Sequence, residues 1–255
     1  MVKKLPHGEF VKERVYRIII RYSNGNESSG SGFFVNKKKF VTCFHVVFGG
    51  ELRNIRSLPE FNTIQHINEH ERLNIFYKNK IPSVFIELDD GSRVTAELND
   101  FSEFYDLVTL KVSVEKKSVN VCKLNIKSIP KYGDSVSFGG FPSQFWYTHD
   151  TTPFAYTEGI ISSFPTTIIG GENYEHIKIN AINLSGNSGA PLFLKDKKTV
   201  VGFINGNMNW GRDDLLVSQV NPNGQTNLQP VSMRVPLSIA YATSLKLIKD
   251  RTNLI

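Results

Sequence analysis

Apolar and polar positions alternate with a period of two along most of the chain, and the apolar runs are short and separated by Gly, Asn, Asp, Ser and Lys clusters. That pattern predicts strands joined by tight turns. Residues 14–22 are rich in Val, Ile and Tyr and run into Asn24-Gly25-Asn26, a strand and its turn. Ser28-Ser29-Gly30-Ser31-Gly32 leads to Phe33-Phe34-Val35, and residues 36–39 turn that run into Phe40-Val41-Thr42-Cys43. His45 is thereby expected at the end of a strand, in an apolar setting. Residues 84–88 and 94–98 flank Asp89-Asp90-Gly91, a hairpin turn. Asp106 stands at the mouth of the apolar run 107–112, where an acid needs a hydrogen-bond donor to offset its desolvation. After a turn at 130–134, strands are expected over 135–138, 157–163, 176–180, 192–193 and 200–204.

Three stretches depart from this rhythm. Residues 48–80 mix charged and scattered apolar positions and read as a surface insertion, partly helical over 60–76. Residues 143–154 carry Phe145-Trp146-Tyr147 and read as a loop with aromatic anchors. Over 235–249, Ile239, Ala242, Leu245 and Leu247-Ile248 share one broad face at helical spacing, so a closing helix is expected over 235–250.

Composition narrows the class. A chain of 255 residues, 40% hydrophobic and 21% charged, suits one large or two small all-β domains with a sizeable core. No apolar run approaches the roughly 18 residues of a membrane span, and no signal-peptide core is visible, so no membrane partner is expected. Cys43 and Cys122 are too few for a disulfide scaffold, which points to a reducing, cytoplasmic setting. The net charge of +6 falls largely on turn tips, at Lys37-Lys38-Lys39 and at Lys195, Lys197 and Lys198. No stripe of basic residues is interleaved with exposed aromatics, so no nucleic-acid partner is expected.

The chemistry concentrates in Asn183-Leu184-Ser185-Gly186-Asn187-Ser188-Gly189-Ala190-Pro191-Leu192-Phe193. A turn of small residues presents one hydroxyl, Ser188, between two glycines. Such a turn can aim backbone N–H groups at one point, as a developing oxyanion requires. A plain hairpin turn uses the same residue types. His45 and Asp106 are the candidate base and orienting carboxylate, although each also has an ordinary structural reading. A competing motif is His66-Ile67-Asn68-Glu69-His70, whose two imidazoles would share a helix face and could ligate zinc. No third ligand follows it, so no metal and no cofactor are expected.

The segments resemble those of trypsin-like peptidases of the HtrA and DegP type. Gly30-Ser31-Gly32-Phe33-Phe34-Val35 with Thr42-Cys43-Phe44-His45-Val46-Val47 resembles their G-S-G-F-V … T-x-x-H-V-V segment. Asp89-Asp90-Gly91 with the run from Tyr105 through Val112 resembles D-G … D-L-A-L-L-K, and residues 133–140 resemble G-D … G-x-P. Ala181-Ile182-Asn183 with Gly186-Asn187-Ser188-Gly189-Ala190-Pro191-Leu192 resembles A-I-N-x-G-N-S-G-G-P-L. The likeness spans about residues 12–208 and keeps the order His, Asp, Ser.

It implies an all-β chymotrypsin-like fold of two antiparallel six-stranded barrels with a C-terminal α-helix. The first barrel (10–125) would carry His45 and Asp106, the second (126–234) Ser188, and the closing helix would follow over 235–250. It implies a serine endopeptidase acting on protein or peptide substrates through a Ser188–His45–Asp106 triad and an acyl-enzyme. The oxyanion hole would be built from the Gly186–Asn187–Ser188 turn, with the N–H groups of Gly186 and Ser188 as donors. A catalytically silent binding module on the same scaffold is the alternative.

The departures from the family pattern have consequences. Ala190 replaces a glycine. Asn187 stands where secreted trypsins carry an acid that pairs with a freshly cut N-terminus, so no such activation is expected. No disulfide partner for Cys43 and no peptide-binding PDZ module are expected. In this fold the primary pocket has its floor six residues before the nucleophile, here Ile182, and one wall along Phe203, Ile204 and Asn205. None of these is acidic, so a small or medium apolar residue before the scissile bond is expected. The 48–80 insertion is a candidate docking place for a regulatory protein.

Overall fold

The computed structural model describes residues 5–22, 25–49, 71, 75, 83–113, 119–127, 130–142, 153–169, 172–220 and 226–251. Six strands form the first unit: β1 (Tyr16–Arg21), β2 (Glu27–Asn36), β3 (Lys39–Cys43), β4 (Ser83–Glu87), β5 (Arg93–Ser102) and β6 (Leu107–Val112). They close into an antiparallel barrel in the order β1-β2-β3-β6-β5-β4. Alternation along the strands sends one set of side chains inward, and aromatic residues fill much of the interior. The Phe34 ring meets Tyr16 and Phe40 edge-on, each at 5.0 Å between centroids, and all three are buried. Each such ring contributes about 1.5–3 kcal/mol by leaving water.

The second unit contains β7 (Ser135–Gly140), β8 (Ala155–Ser163), β9 (Thr166–Ile169), β10 (Glu172–Asn180), β11 (Pro191–Leu194), β12 (Thr199–Val220) and β13 (Thr226–Ser244). Its order is β13-β12-β11-β7-β8-β10-β9, and β13 also pairs with β10. That last pairing closes six of the strands into a ring and leaves β9 as a hairpin arm on β10. The expected architecture of two six-stranded barrels therefore holds. The connecting segment is stitched to both: the Cys122 N–H donates to the Phe34 carbonyl at 2.8 Å, and the Asn125 N–H to the Val200 carbonyl at 2.7 Å.

The closing helix is shorter than its apolar spacing implied. Residues 235–244 belong to β13, and only α3 (Leu245–Arg251) is helical. Pro236 has no N–H for a helix interior, and Ile239 and Thr243 are β-branched. Ala242 pairs with Ile177 on one side and Ile204 on the other, so a central strand position overrides the three-residue spacing. His45 is likewise displaced from its expected strand end. It lies in the short helix α2 (Phe44–Phe48) that follows β3. Of the 60–76 segment, Glu71 and Ile75 are helical. The rest of it, the His66–His70 pair and residues 143–152 lie outside the described residues.

One element has no counterpart in the strand pattern: α1 (His7–Lys12) precedes β1 but packs on the second barrel. The His7 ring is 2.7 Å from Ser137 Oγ, and Phe10 meets Phe193 edge-on at 5.6 Å. Lys198 and Arg14 both stand over the Phe10 ring. The chain thus straps one barrel before entering the other. Burial, and then the nearby Lys198 and Lys195 charges opposed by Glu158, hold the His7 imidazole below its usual 6.5, and burial does the same to His176. The unfolded chain consequently binds more protons than the folded one as pH falls through 6.5, so stability is full above that pH and declines below it. Urea midpoints should fall between pH 7.5 and pH 5, with a shallower decline in His7→Gln. An equal decline in the variant would show that the strap does not sense the proton.

Candidate active site

Strand register brings the first two candidates together. Thr42 is paired with Val108 and Cys43 with Leu107 across β3 and β6. The residues just after Cys43 and just before Leu107 therefore meet at one rim of the barrel. There Asp106 adopts φ 52°, a left-handed conformation that Asp tolerates better than most residues. Its carbonyl accepts the Phe44 N–H at 3.0 Å, Oδ1 accepts the His45 N–H at 2.9 Å, and Oδ2 lies 2.7 Å from His45 Nδ1. One residue thus satisfies two free N–H groups at the start of α2 and orients the imidazole. A carboxylate only accepts, so Nδ1 carries the hydrogen and Nε2 is left with a free lone pair.

The third candidate arrives from the other barrel on the turn between β10 and β11. Gly186 has φ 101° and Gly189 φ 88°. The turn is fastened to β2: the Ser31 N–H donates to the Ser188 carbonyl at 2.9 Å, and Ser31 Oγ donates to the Gly186 carbonyl at 2.7 Å. The Gly189 N–H donates to the Ile204 carbonyl at 2.7 Å. A Cβ on Gly189 would stand 2.1 Å from the Ser31 carbonyl oxygen, so neither the φ nor the space admits a side chain. A Cβ on Gly30 would stand 2.7 Å from Val46 and 3.3 Å from the Ser188 carbonyl oxygen. Only hydrogen at position 30 lets the helix bearing His45 and the backbone of Ser188 approach there.

Ser188 is part-exposed, and no hydrogen bond joins its hydroxyl to the His45 ring. The N–H groups of Gly186 and Ser188 have no backbone acceptor among the described residues. The Asn187 N–H is spent on the Leu184 carbonyl at 3.1 Å, and its wholly buried carboxamide has no hydrogen-bond partner among the described residues. The other expected site residues separate. Ile182 is 57% exposed, whereas Phe203 and Ile204 are wholly buried and present no side chain to a ligand. Asn205 turns its amide to Thr243 Oγ1 at 2.7 Å.

Two contributors escaped the sequence reading. Ser31 is wholly buried and holds the turn; its mark is a small polar residue between glycines where a barrel strand would carry bulk. Cys43 is also wholly buried, and its S–H donates to the Ile204 carbonyl at 3.2 Å, the same oxygen that receives the Gly189 N–H. Burial, and then the negative charge of Asp106, push this thiol well above its ordinary pKa.

Comparison with known proteins agrees with the two-barrel fold. No curated protein matches the chain significantly. Among solved structures, the Rv3671c protease from M. tuberculosis in its active form superposes with a TM-score of 0.62 at 15% identity, covering 96% of this chain and 82% of that one. An HtrA-type protease, AlgW, in a variant solved with a tripeptide, superposes with a TM-score of 0.60 at 17% identity, covering 96% of this chain and 62% of that one. At such identities the likeness concerns the fold. A family model described as a trypsin-like peptidase domain matches residues 30–203, a span running from the glycines of β2 through the Ser188 turn to β12. With well over half of its length matched, the chain belongs to the trypsin-like peptidase family.

Proposed function

We propose that the protein is a serine endopeptidase. The observation that carries this reading is the clamp of Asp106 on both the backbone and the ring of His45, at 2.9 and 2.7 Å. It leaves Nε2 free to act as a base at the seam where the Ser188 turn docks. In this reading Ser188 Oγ attacks the scissile carbonyl while Nε2 takes its proton. The imidazolium so formed is held by Asp106, and the carbonyl oxygen, now negative, receives the N–H groups of Gly186 and Ser188. The imidazolium then returns its proton to the leaving amine, giving an acyl-enzyme that water opens by the same steps. The missing His45–Ser188 hydrogen bond belongs to the free enzyme, where such bonds are often long and tighten on substrate. The same gap favours a second reading, a silent binding module on this scaffold.

A fluorophosphonate probe separates the two. Wild-type protein should be labelled and Ser188→Ala should not. Labelling that persists in Ser188→Ala places the nucleophile elsewhere, and no labelling of either favours the silent module. Asp106→Asn should lower peptide hydrolysis by about 10⁴-fold, the loss that the same change causes in a related enzyme.

The substrate reading is narrower. Ile182 and Asn205 bring no acidic group to the neighbourhood of Ser188, so a Lys or Arg before the scissile bond would be desolvated without a counter-ion. A small or medium apolar residue fits there. Profiling on a peptide library should show that preference, and a strong Arg or Lys preference would overturn it. Both cysteines are free and buried, which suits a reducing compartment such as the cytoplasm.

A further inference from the structure

A second set of donors lies against the hydrogen-bonded pair. Cys43 Sγ, the His45 imidazole and an Asp106 carboxylate oxygen all lie within 4.8 Å of one another. We propose that these three side chains form an inhibitory site for a borderline-soft divalent cation of the zinc type. The binding site stands on the geometry alone; its consequence for activity rests on the peptidase reading.

Thiolate, imidazole and carboxylate are the donors that zinc takes, whereas calcium and magnesium prefer all-oxygen sets. Zinc bonds of about 2.0–2.3 Å in a tetrahedron put ligand atoms roughly 3.3–3.8 Å apart. The His45 Nδ1–Asp106 Oδ2 pair, now at 2.7 Å, must open by about half an ångström, and any separation near the 4.8 Å bound must close by about 1 Å, to reach those bonds. Cys43 has no exposure, but the His45 and Asp106 side chains are 34% and 22% exposed, so an ion can enter from their side. A solvent oxygen completes the shell.

Loading and catalysis exclude each other. The metal takes the Nδ1 lone pair where the hydrogen now sits, and the neutral imidazole then carries its hydrogen on Nε2. That nitrogen can donate but can no longer accept the Ser188 proton. The thiol proton leaves to solvent, Asp106 exchanges an N–H for a metal–oxygen bond, and no electrons are transferred. Removing the ion restores the tautomer, so the inhibition is reversible. Residues that position the base thereby also hold the means to switch it off.

Cobalt(II) is the probe, because a thiolate bound to it gives a near-ultraviolet charge-transfer band. The full chain carrying Ser188→Ala should take up cobalt with that band, as should a His66→Ala/His70→Ala double variant. Cys43→Ser and Cys43→Ala should both lack it. Zinc, measured by competition, should bind at least about tenfold more weakly to Cys43→Ser and to Asp106→Asn than to the parent, since even outer-shell losses cost that much. Zinc should inhibit wild-type peptide cleavage, and a chelator should restore it. Absence of the band, or zinc affinity that survives loss of Cys43 and collapses in the His66/His70 variant, overturns the site. A band in a protein that cleaves nothing and resists the fluorophosphonate would leave the site standing and remove the peptidase reading.

Discussion

The carboxylate of Asp106 fixes the position on which the rest of the site depends. Its two oxygens and its carbonyl reach consecutive residues, Phe44 and His45, with three hydrogen bonds of 2.7–3.0 Å. The left-handed backbone at Asp106 is what turns carbonyl and side chain toward the same neighbour. Such a conformation is sustained only where the surroundings over-determine it, and here β6, buried along nearly its whole length, supplies that support. Two of the three bonds go to backbone N–H groups, so orientation is built from backbone as much as from side chain.

The seam between the barrels is the second constraint. Ser31 reaches across it twice, by its N–H to the Ser188 carbonyl and by its hydroxyl to the Gly186 carbonyl. The hydroxyl also accepts the Phe141 N–H at 3.1 Å, so one buried side chain ties β2 to the segment after β7 as well as to the Ser188 turn. Thr42 in turn donates to the Ser31 carbonyl at 2.8 Å. The turn bearing Ser188 is consequently held by polar contacts, which are directional, in a place where apolar packing alone would allow sliding. Glycine at 30 and 189 is the steric counterpart of those contacts.

Much of this was legible in the sequence. Alternation gave the strands, the Asp89-Asp90-Gly91 turn appears with Gly91 at φ 76°, and the apolar run after Asp106 is β6. The ends of the chain were harder. Ala240 and Ala242 suit a helix face as well as an interior strand, and only the neighbours β10 and β12 decide between them. The short helix α1 gains its stability from Phe193 and Ser137, residues far along the chain, so no local pattern announces it. The pocket residues show a different limit. Spacing from Ser188 locates Phe203 and Ile204 on β12, but not what covers their side chains, and both faces of the strand are buried there. Cys43 was unreadable and Ser31 only faintly marked by its flanking glycines, since their roles lie in contacts between barrels.

The strap formed by α1 bears on the order of assembly. His7 docks on a residue 130 positions later, and Phe10 on one still further along. During synthesis α1 emerges before β7 and β11, so it has no surface to land on until much of the second barrel has been made. This helix is therefore translated before its landing surface and settles after it, and its docking latches both halves together once the distal half has folded.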